Sequence, residues 1–200
     1  MIYTGLLKMN LPNKLSVLRL LLIPVFIAIF YVDFPGHYLV ALGVFALASF
    51  TDFLDGYIAR KYNLITDLGK FLDSSADKVL VLSALILFMD AKLITLGYVP
   101  EFIGGVSVVI ILAREILISC LRMITAKKGI AIAADKLGKI KTFLQDVAII
   151  VLLLAGHFAS GTLQMVIWIV GFSCFGLSVV MTAISGVHYF IVYGAKLESK

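Results

Sequence analysis

Apolar residues fill most of the chain, and short polar segments or segments with glycine and proline interrupt them. The apolar stretches cover approximately residues 15–32, 37–59, 69–89, 101–123, 139–158 and 163–193. A helix that crosses a hydrocarbon core of about 30 Å needs about 20 mostly apolar residues, and each stretch is close to that length or longer. The pattern therefore predicts an all-α integral membrane protein with six transmembrane helices. We expect one domain over residues 1–200, with residues 1–13 as a polar lead.

The last stretch is too long for a simple crossing. Its 31 residues would form a helix of about 46 Å at 1.5 Å per residue. We therefore expect this helix to tilt, to kink near Gly171 or Gly176, or to project into water.

Basic residues are distributed unevenly between the two sides of the predicted bundle. Of 17 Lys and Arg, only Lys92 falls in the loops after the first, third and fifth helices. The positive-inside rule then places both termini, and the polar ends of the second and third helices, in the cytoplasm of a cell whose plasma membrane holds the protein. The net charge of +5 needs no nucleic-acid partner, because an anionic membrane face and an anionic substrate account for it.

Four aspartates lie within 26 residues at the facing ends of the second and third helices. They are Asp52, Asp55, Asp73 and Asp77. On insertion scales, four such carboxylates cost roughly 10–14 kcal/mol in total, so compensating charge is required. The pairs are spaced i, i+3 and i, i+4, which places each pair on one helix face. Hard oxygen donors suit Mg²⁺ or Mn²⁺, and two such cations balance four carboxylates better than one.

Small residues accompany the aspartates. Gly56 and Ala59 follow Asp55, and Gly69 lies one turn before Asp73. They leave room for a bulky ligand to approach the backbone. Arg60 would offer such a ligand a planar fork that suits phosphate.

These residues form the pattern D-x2-D-G-x2-A-R-x8-G-x3-D-x3-D, which resembles the signature of the CDP-alcohol phosphatidyltransferases. The resemblance implies a homodimeric membrane enzyme of six-helix subunits that joins an alcohol to the phosphorus of a CDP-linked lipid and releases CMP. It also implies that the four aspartates hold two metals and that Asp77 acts as the base. Gly56, Arg60 and Thr66 fall where the family binds the cytidine diphosphate group.

Polar residues near the start of the first helix extend the candidate site. Asn13 and Ser16 could contact the lipid diphosphate, because helix N-termini attract anions. Arg19 lies deeper in the same apolar stretch. It either extends its side chain to the interface or contacts a phosphate.

Basic residues of the fourth and fifth helices predict a pocket for a second, phosphorylated substrate. They are Arg114, Arg122, Lys136, Lys139 and Lys141. Alternatively, Arg114 and Glu115 belong to a buried ion-pair network, and the lysines only mark the cytoplasmic interface. These segments resemble the bacterial glycerol-phosphate branch of the family, the phosphatidylglycerophosphate synthases. That branch transfers the phosphatidyl group from CDP-diacylglycerol to sn-glycerol 3-phosphate, whose phosphate accounts for the cations.

Other functions stay open at this point. Ser74-Ser75 stands where this branch often has Pro-Leu, which affects the expected fit of the lipid. Inositol phosphate, serine, or phosphatidylglycerol as in a cardiolipin synthase are other acceptors within the family. A divalent-cation transporter is the alternative from another class, although transporters place polar groups near the midplane of the membrane.

Overall fold

The computed structural model describes residues 10–62, 66–127, 136–158 and 160–194, and within these ranges the chain forms helices and no strand. In chain order these are α1 (Leu11–Tyr31), α2 (His37–Lys61), α3 (Asp67–Asp90), α4 (Glu101–Lys127), α5 (Lys136–His157) and α6 (Thr162–Tyr189), followed by a π-helical segment, Phe190–Gly194. The predicted all-α fold is confirmed, and no helix boundary lies more than four residues from its expected position. Residues 1–9 of the predicted lead lie outside the described residues, and the single domain stays a prediction.

Five of these helices are long and apolar enough to cross a membrane. The candidate spans are Leu11–Tyr31, His37–Ala59, Glu101–Thr125, Gly138–His157 and Thr162–Val192. Helix α3 has 24 residues, but five charged side chains occupy its first twelve positions. Its second half is apolar, so α3 completes a six-helix, multi-pass membrane bundle with one polar end.

An aromatic core fills the apolar half of the bundle. Helix α1 packs against α2 and α3, and its buried Phe26 and Phe30 contact rings from both neighbours. The ring centroids of Phe26 and Phe45 are 5.9 Å apart, and those of Phe30 and Phe88 are 6.0 Å apart. Contacts of this kind bury large apolar surface and favour one relative position of the helices. The core therefore fixes the three helices that carry the polar residues at their other ends.

The longest helix packs closely against α5. A Cβ at Gly171 would lie 3.1 Å from side-chain atoms of both Leu152 and Val151, so glycine permits the close approach. The α-helix continues through Gly171 and Gly176 and changes its hydrogen-bonding pattern only at Phe190. The break in the helical pattern thus lies at its end and at neither glycine.

The polar ends of α1 and α3 are held together by local capping. Thr66 precedes α3, and its Oγ1 accepts a hydrogen bond from the backbone nitrogen of Gly69 at 3.0 Å. This cap satisfies one of the free N–H groups at the helix start. Asn13, in the first turn of α1, donates from Nδ2 to the same Thr66 oxygen at 3.1 Å. The first turn of α3 is thereby anchored to α1.

Candidate functional site

Three of the four predicted metal ligands converge in the bundle. Asp52 and Asp55 from α2 and Asp73 from α3 each offer an oxygen, and these oxygens lie within 4.8 Å of one another. Asp55 is buried, whereas Asp52 and Asp73 are partly exposed. The i, i+3 spacing on α2 and the facing register of α3 bring them together, as the sequence pattern indicates.

Arg19 lies within this acidic cluster. Its guanidinium is fully buried, and Nη1 is 2.5 Å from Asp52 Oδ1 and 3.4 Å from Asp73 Oδ1. Nη2 is 2.7 Å from Asp55 Oδ2. The interpretation of Arg19 as a side chain that extends to the interface is therefore wrong, because α1 packs against α2 and α3 and directs it inward. The cluster thus has a positive partner within the protein, which the sequence argument for metals did not include.

The residues of this cluster nevertheless fit a divalent cation. Three carboxylates and one guanidinium leave a formal charge of −2. Asp55 Oδ1 is buried and has no hydrogen-bond partner, which is costly unless another ligand binds it. A set of hard carboxylate oxygens is the donor set that Mg²⁺ and Mn²⁺ prefer.

Asp77, the predicted base, lies one turn further along α3, outside the close group of three. It lines a cavity of about 30 Å³ beside that group. The other polar residues of the cavity wall are Lys78, Glu115, Lys141, Thr142 and Gln145. The cavity therefore has acidic and basic walls, contributed by α3, α4 and α5.

Two of the predicted phosphate-binding residues share one carboxylate. Arg114 Nη1 donates to Glu115 Oε1 at 3.0 Å, and Lys141 Nζ donates to the same oxygen. Arg114 Nη2 also donates to Ser185 Oγ at 2.8 Å. The alternative interpretation, a buried ion-pair network, is therefore what the structure contains for these groups. Arg114 still has an unpaired donor, because its Nε is buried without a hydrogen-bond partner.

The other predicted basic residues are placed differently. Arg122 Nη2 donates to Tyr189 Oη at 3.2 Å, and the ring of Tyr189 is 5.8 Å from the guanidinium carbons of both Arg114 and Arg122. Lys139 is exposed. The side chain of Lys136 lies outside the described part of the chain. Within that part, the structure brings Arg114, Arg122 and Lys141 near one another.

The residues predicted to bind the CDP-lipid form two groups. Gly56 and Ala59 are half-buried on the stripe of α2 after Asp55, and the Arg60 side chain is outside the described residues. The second group lies between helices. Asn13 and Thr66 bond to each other, and Ser16 Oγ donates to Asp55 Oδ2 at 3.3 Å.

Sequence reasoning missed several polar partners of the site. On α6, Ser185 and Tyr189 are buried and accept hydrogen bonds from Arg114 and Arg122. Their spacing of four residues, which the buried Ser178 and Thr182 continue along the same face, was the available signal. Gln145 follows the predicted lysines on α5, and sequence reasoning assigned no role to it. It is buried at the cavity, and its Nε2 has no hydrogen-bond partner.

Comparisons with known proteins agree with the motif. A family model described as CDP-alcohol phosphatidyltransferase matches residues 9–184. A Rickettsia typhi protein named CDP-diacylglycerol–glycerol-3-phosphate 3-phosphatidyltransferase is 37% identical over 187 residues, which covers 90% of this chain and 95% of that protein. A Bacillus subtilis protein with the same name is 41% identical over 157 residues, 72% of this chain and 77% of its own. A probable phosphatidylglycerophosphate synthase of Mycobacterium tuberculosis is 39% identical over 185 residues, 90% of this chain and 79% of its own.

The contact between α1 and α3 generates a prediction about Gly69. A Cβ at this position would overlap Asn13 Oδ1 and lie 2.9 Å from Thr66 Oγ1. We expect Gly69→Ala to lower the stability of the detergent-solubilised protein by about 1–3 kcal/mol, as overpacking does elsewhere. Thermal unfolding of Gly69→Ala, Asn13→Ala and the double variant measures the effect. Because the two residues compete for the same space, the double variant should lose less than the sum of the single losses.

Gly43→Ala is the matched control, since no atom beyond the neighbouring residues and backbone of its own helix lies within 4 Å of the added Cβ. Alanine is the better helix former by about 1 kcal/mol, so this variant should unfold at the same temperature as the parent or slightly higher. Equal losses for Gly43→Ala and Gly69→Ala, or strict additivity in the double variant, would contradict the prediction.

Proposed function

The chain belongs to the CDP-alcohol phosphatidyltransferase family, and we propose that it transfers the phosphatidyl group from CDP-diacylglycerol to sn-glycerol 3-phosphate. The products are phosphatidylglycerophosphate and CMP. The observation that carries the proposal is the convergence of Asp52, Asp55 and Asp73 in a chain that matches relatives named for this reaction over most of its length. The acidic cluster would bind the cations that a reaction on a diphosphate needs. The basic residues beside it would bind the phosphate of a phosphorylated acceptor.

The proposed cofactors are two divalent cations, Mg²⁺ or Mn²⁺. Asp52, Asp55 and Asp73 would hold them together with Asp77, and the unpaired Asp55 Oδ1 supports this assignment. When bound, such cations neutralise charge on a diphosphate and stabilise a departing phosphate. The aspartates contribute the fixed geometry, because they project from two helices whose packing does not depend on the substrate.

Asp77 is the proposed base of the reaction. It would accept the proton of the 1-hydroxyl of glycerol 3-phosphate, whose oxygen attacks the lipid-bearing phosphorus. A new O–P bond forms, and the P–O bond to CMP breaks. The position of Asp77 supports this role, because its side chain lines a cavity that Lys141 and Gln145 also line. Positioning and electrostatics carry most of the catalysis in phosphoryl transfers generally.

The acceptor phosphate would bind among Arg114, Lys141 and Arg122, and Lys136 and Lys139 would add positive charge at the start of the same helix as Lys141. The unpaired donors Arg114 Nε and Gln145 Nε2 support this assignment, because buried donors without partners are costly until a ligand pairs with them. Charge-assisted hydrogen bonds to phosphate are among the stronger polar interactions of proteins. A phosphate-free acceptor would leave these donors unpaired.

For the CDP-lipid, we propose that Gly56, Ala59 and Arg60 contact the cytidine diphosphate group. Asn13, Ser16, Thr66 and Gly69 would form the neighbouring wall, and the hydrogen bonds that Thr66 makes with Asn13 and Gly69 keep that part of the wall rigid. The acyl chains would remain in the bilayer. Orientation with both termini and the site in the cytoplasm, and assembly as a homodimer, complete the proposal. The distribution of Lys and Arg along the chain supports the orientation.

Acceptor choice is the first test of this proposal. We expect the purified protein in nanodiscs to release CMP from CDP-diacylglycerol with sn-glycerol 3-phosphate, and much less with serine, inositol phosphate or phosphatidylglycerol. Parallel assays with each acceptor at one concentration measure this. If serine supported equal CMP release, the basic residues would not have the proposed role of binding the acceptor phosphate.

Metal dependence is the second test. Because Asp52, Asp55 and Asp73 share one guanidinium and Lys141 is paired with Glu115, we expect excess EDTA to abolish CMP release and added Mg²⁺ or Mn²⁺ to restore it. If the protein kept full activity after the EDTA–metal complex had been removed, the assignment of the aspartates as metal ligands would be wrong.

The third test separates chemistry from capture of the acceptor. Asp77→Asn keeps the shape of the side chain and removes the base, so kcat should fall by several orders of magnitude. Arg114→Ala should raise the KM for glycerol 3-phosphate about 10- to 150-fold, which corresponds to a lost charge-assisted bond of roughly 1.5–3 kcal/mol. Two-substrate steady-state kinetics on folded variants measures both constants.

Lys92→Ala is the matched control for the third test. Lys92 is exposed at the other end of the bundle, where it pairs with Glu101 at 2.6 Å, so neither constant should change. If Arg114→Ala raised only the KM for the CDP-lipid, Arg114 would belong to the nucleotide site instead.

A further inference from the structure

Arg19 places a permanent positive charge among the proposed metal ligands. Its guanidinium is fully buried and within ion-pair distance of Asp52, Asp55 and Asp73. The Nε group donates to the backbone oxygen of Ala48 at 3.2 Å, which fixes the guanidinium plane against α2. An arginine side chain does not lose its proton in proteins. The charge is therefore present whether or not a metal is bound.

We propose that Arg19 is a built-in counter-cation of the metal site, which stabilises the carboxylates when divalent cations are absent and limits how tightly those cations bind. The proposal rests on the proposed function only where it assigns divalent cations to these aspartates. Arg19 would act through its contacts with the aspartates that bind the metal, and it would not touch the reacting atoms.

The contacts allow Arg19 and a metal to be present together. Arg19 uses Oδ1 of Asp52, Oδ2 of Asp55 and Oδ1 of Asp73. The second oxygen of Asp55 is buried and has no hydrogen-bond partner. A cation can therefore bind Asp55 Oδ1 while Arg19 keeps its contact with Asp55 Oδ2. A unit positive charge then stays within a few ångströms of the metal, and its repulsion lowers the metal affinity.

Removing Arg19 would have two opposite effects on metal binding. It removes the repulsion, which favours binding, and it removes contacts that orient the ligands, which disfavours binding. The second effect is the smaller, because each aspartate has a short side chain held by a packed helix, and Ser16 Oγ still donates to Asp55 Oδ2 at 3.3 Å. The net result is tighter binding to a protein that is less stable without metal, since buried carboxylates would then lack a partner.

Arg19→Met tests this inference, because methionine fills similar apolar space without the charge. Thermal unfolding in detergent is measured in EDTA and in saturating MnCl₂, and the Mn²⁺ dissociation constant is measured by the electron paramagnetic resonance signal of free Mn²⁺. We expect a lower midpoint in EDTA, a larger rise with Mn²⁺ than in the parent protein, and a dissociation constant lower by about tenfold or more. Arg19→Lys keeps the charge, so its dissociation constant should stay within about threefold of the parent value.

Lys92→Met is the control for loss of one positive charge far from the site, and it should leave the Mn²⁺ dissociation constant unchanged. Equal losses of the midpoint in EDTA and in MnCl₂, with an unchanged dissociation constant, would show a purely structural role. Weaker Mn²⁺ binding by Arg19→Met, or failure of this variant to fold even with Mn²⁺, would also overturn the proposal. None of these measurements needs a substrate, so an error in the proposed reaction or acceptor would appear only in the CMP assays.

Discussion

Carboxylates can be buried among apolar helices only if positive charge is buried with them, and the polar half of this bundle follows from that constraint. Asp52, Asp55 and Asp73 share the guanidinium of Arg19, and Glu115 is paired with Arg114 and Lys141. Removing one partner from a buried ion pair typically costs about 3–5 kcal/mol, because the other charge is left uncompensated. Arg19 and Lys141 lie on other helices than the carboxylates with which they pair, so these ion pairs also fix the position of one helix relative to the next.

The apolar half of the bundle makes this arrangement possible. Phe26, Phe30, Phe45 and Phe88 pack α1 against α2 and α3, with ring centroids 5.9 Å and 6.0 Å apart across the two interfaces. None of these contacts depends on the charged end, so the helices bring the ionic groups to fixed positions. Reactions on phosphates depend on such positioning, since a misplacement of about 1 Å can cost a factor of 10² in rate. The aromatic core lies outside the site, but it holds in place the helices that position the residues of the site.

Much of this structure could be predicted from the sequence, because membrane helices are read from the length of apolar runs. The aspartates were predictable as a cluster, because spacings of three and four residues place side chains on one helix face. The identity of the partners was not predictable in this way. Periodicity gives the face on which Arg19 lies, but only the packing of α1 against both α2 and α3 decides that this face is enclosed. Tyr189 and Ser185 were missed for the same reason, since their roles depend on where α6 passes α4.

The two ionic clusters have a joint consequence for substrate binding. Two of the cations proposed to bind the acceptor phosphate, Arg114 and Lys141, already donate to Glu115, so for these two phosphate binding is largely an exchange of one anionic partner for another. Such exchange adds little net affinity, because the protein gives up contacts as it gains them. The unpaired Arg114 Nε and Gln145 Nε2 differ, since a bond to either replaces no existing one. A site that leaves buried donors unpaired discriminates strongly against acceptors lacking the matching group. Specificity for a phosphorylated acceptor would then come from these two donors more than from the total positive charge.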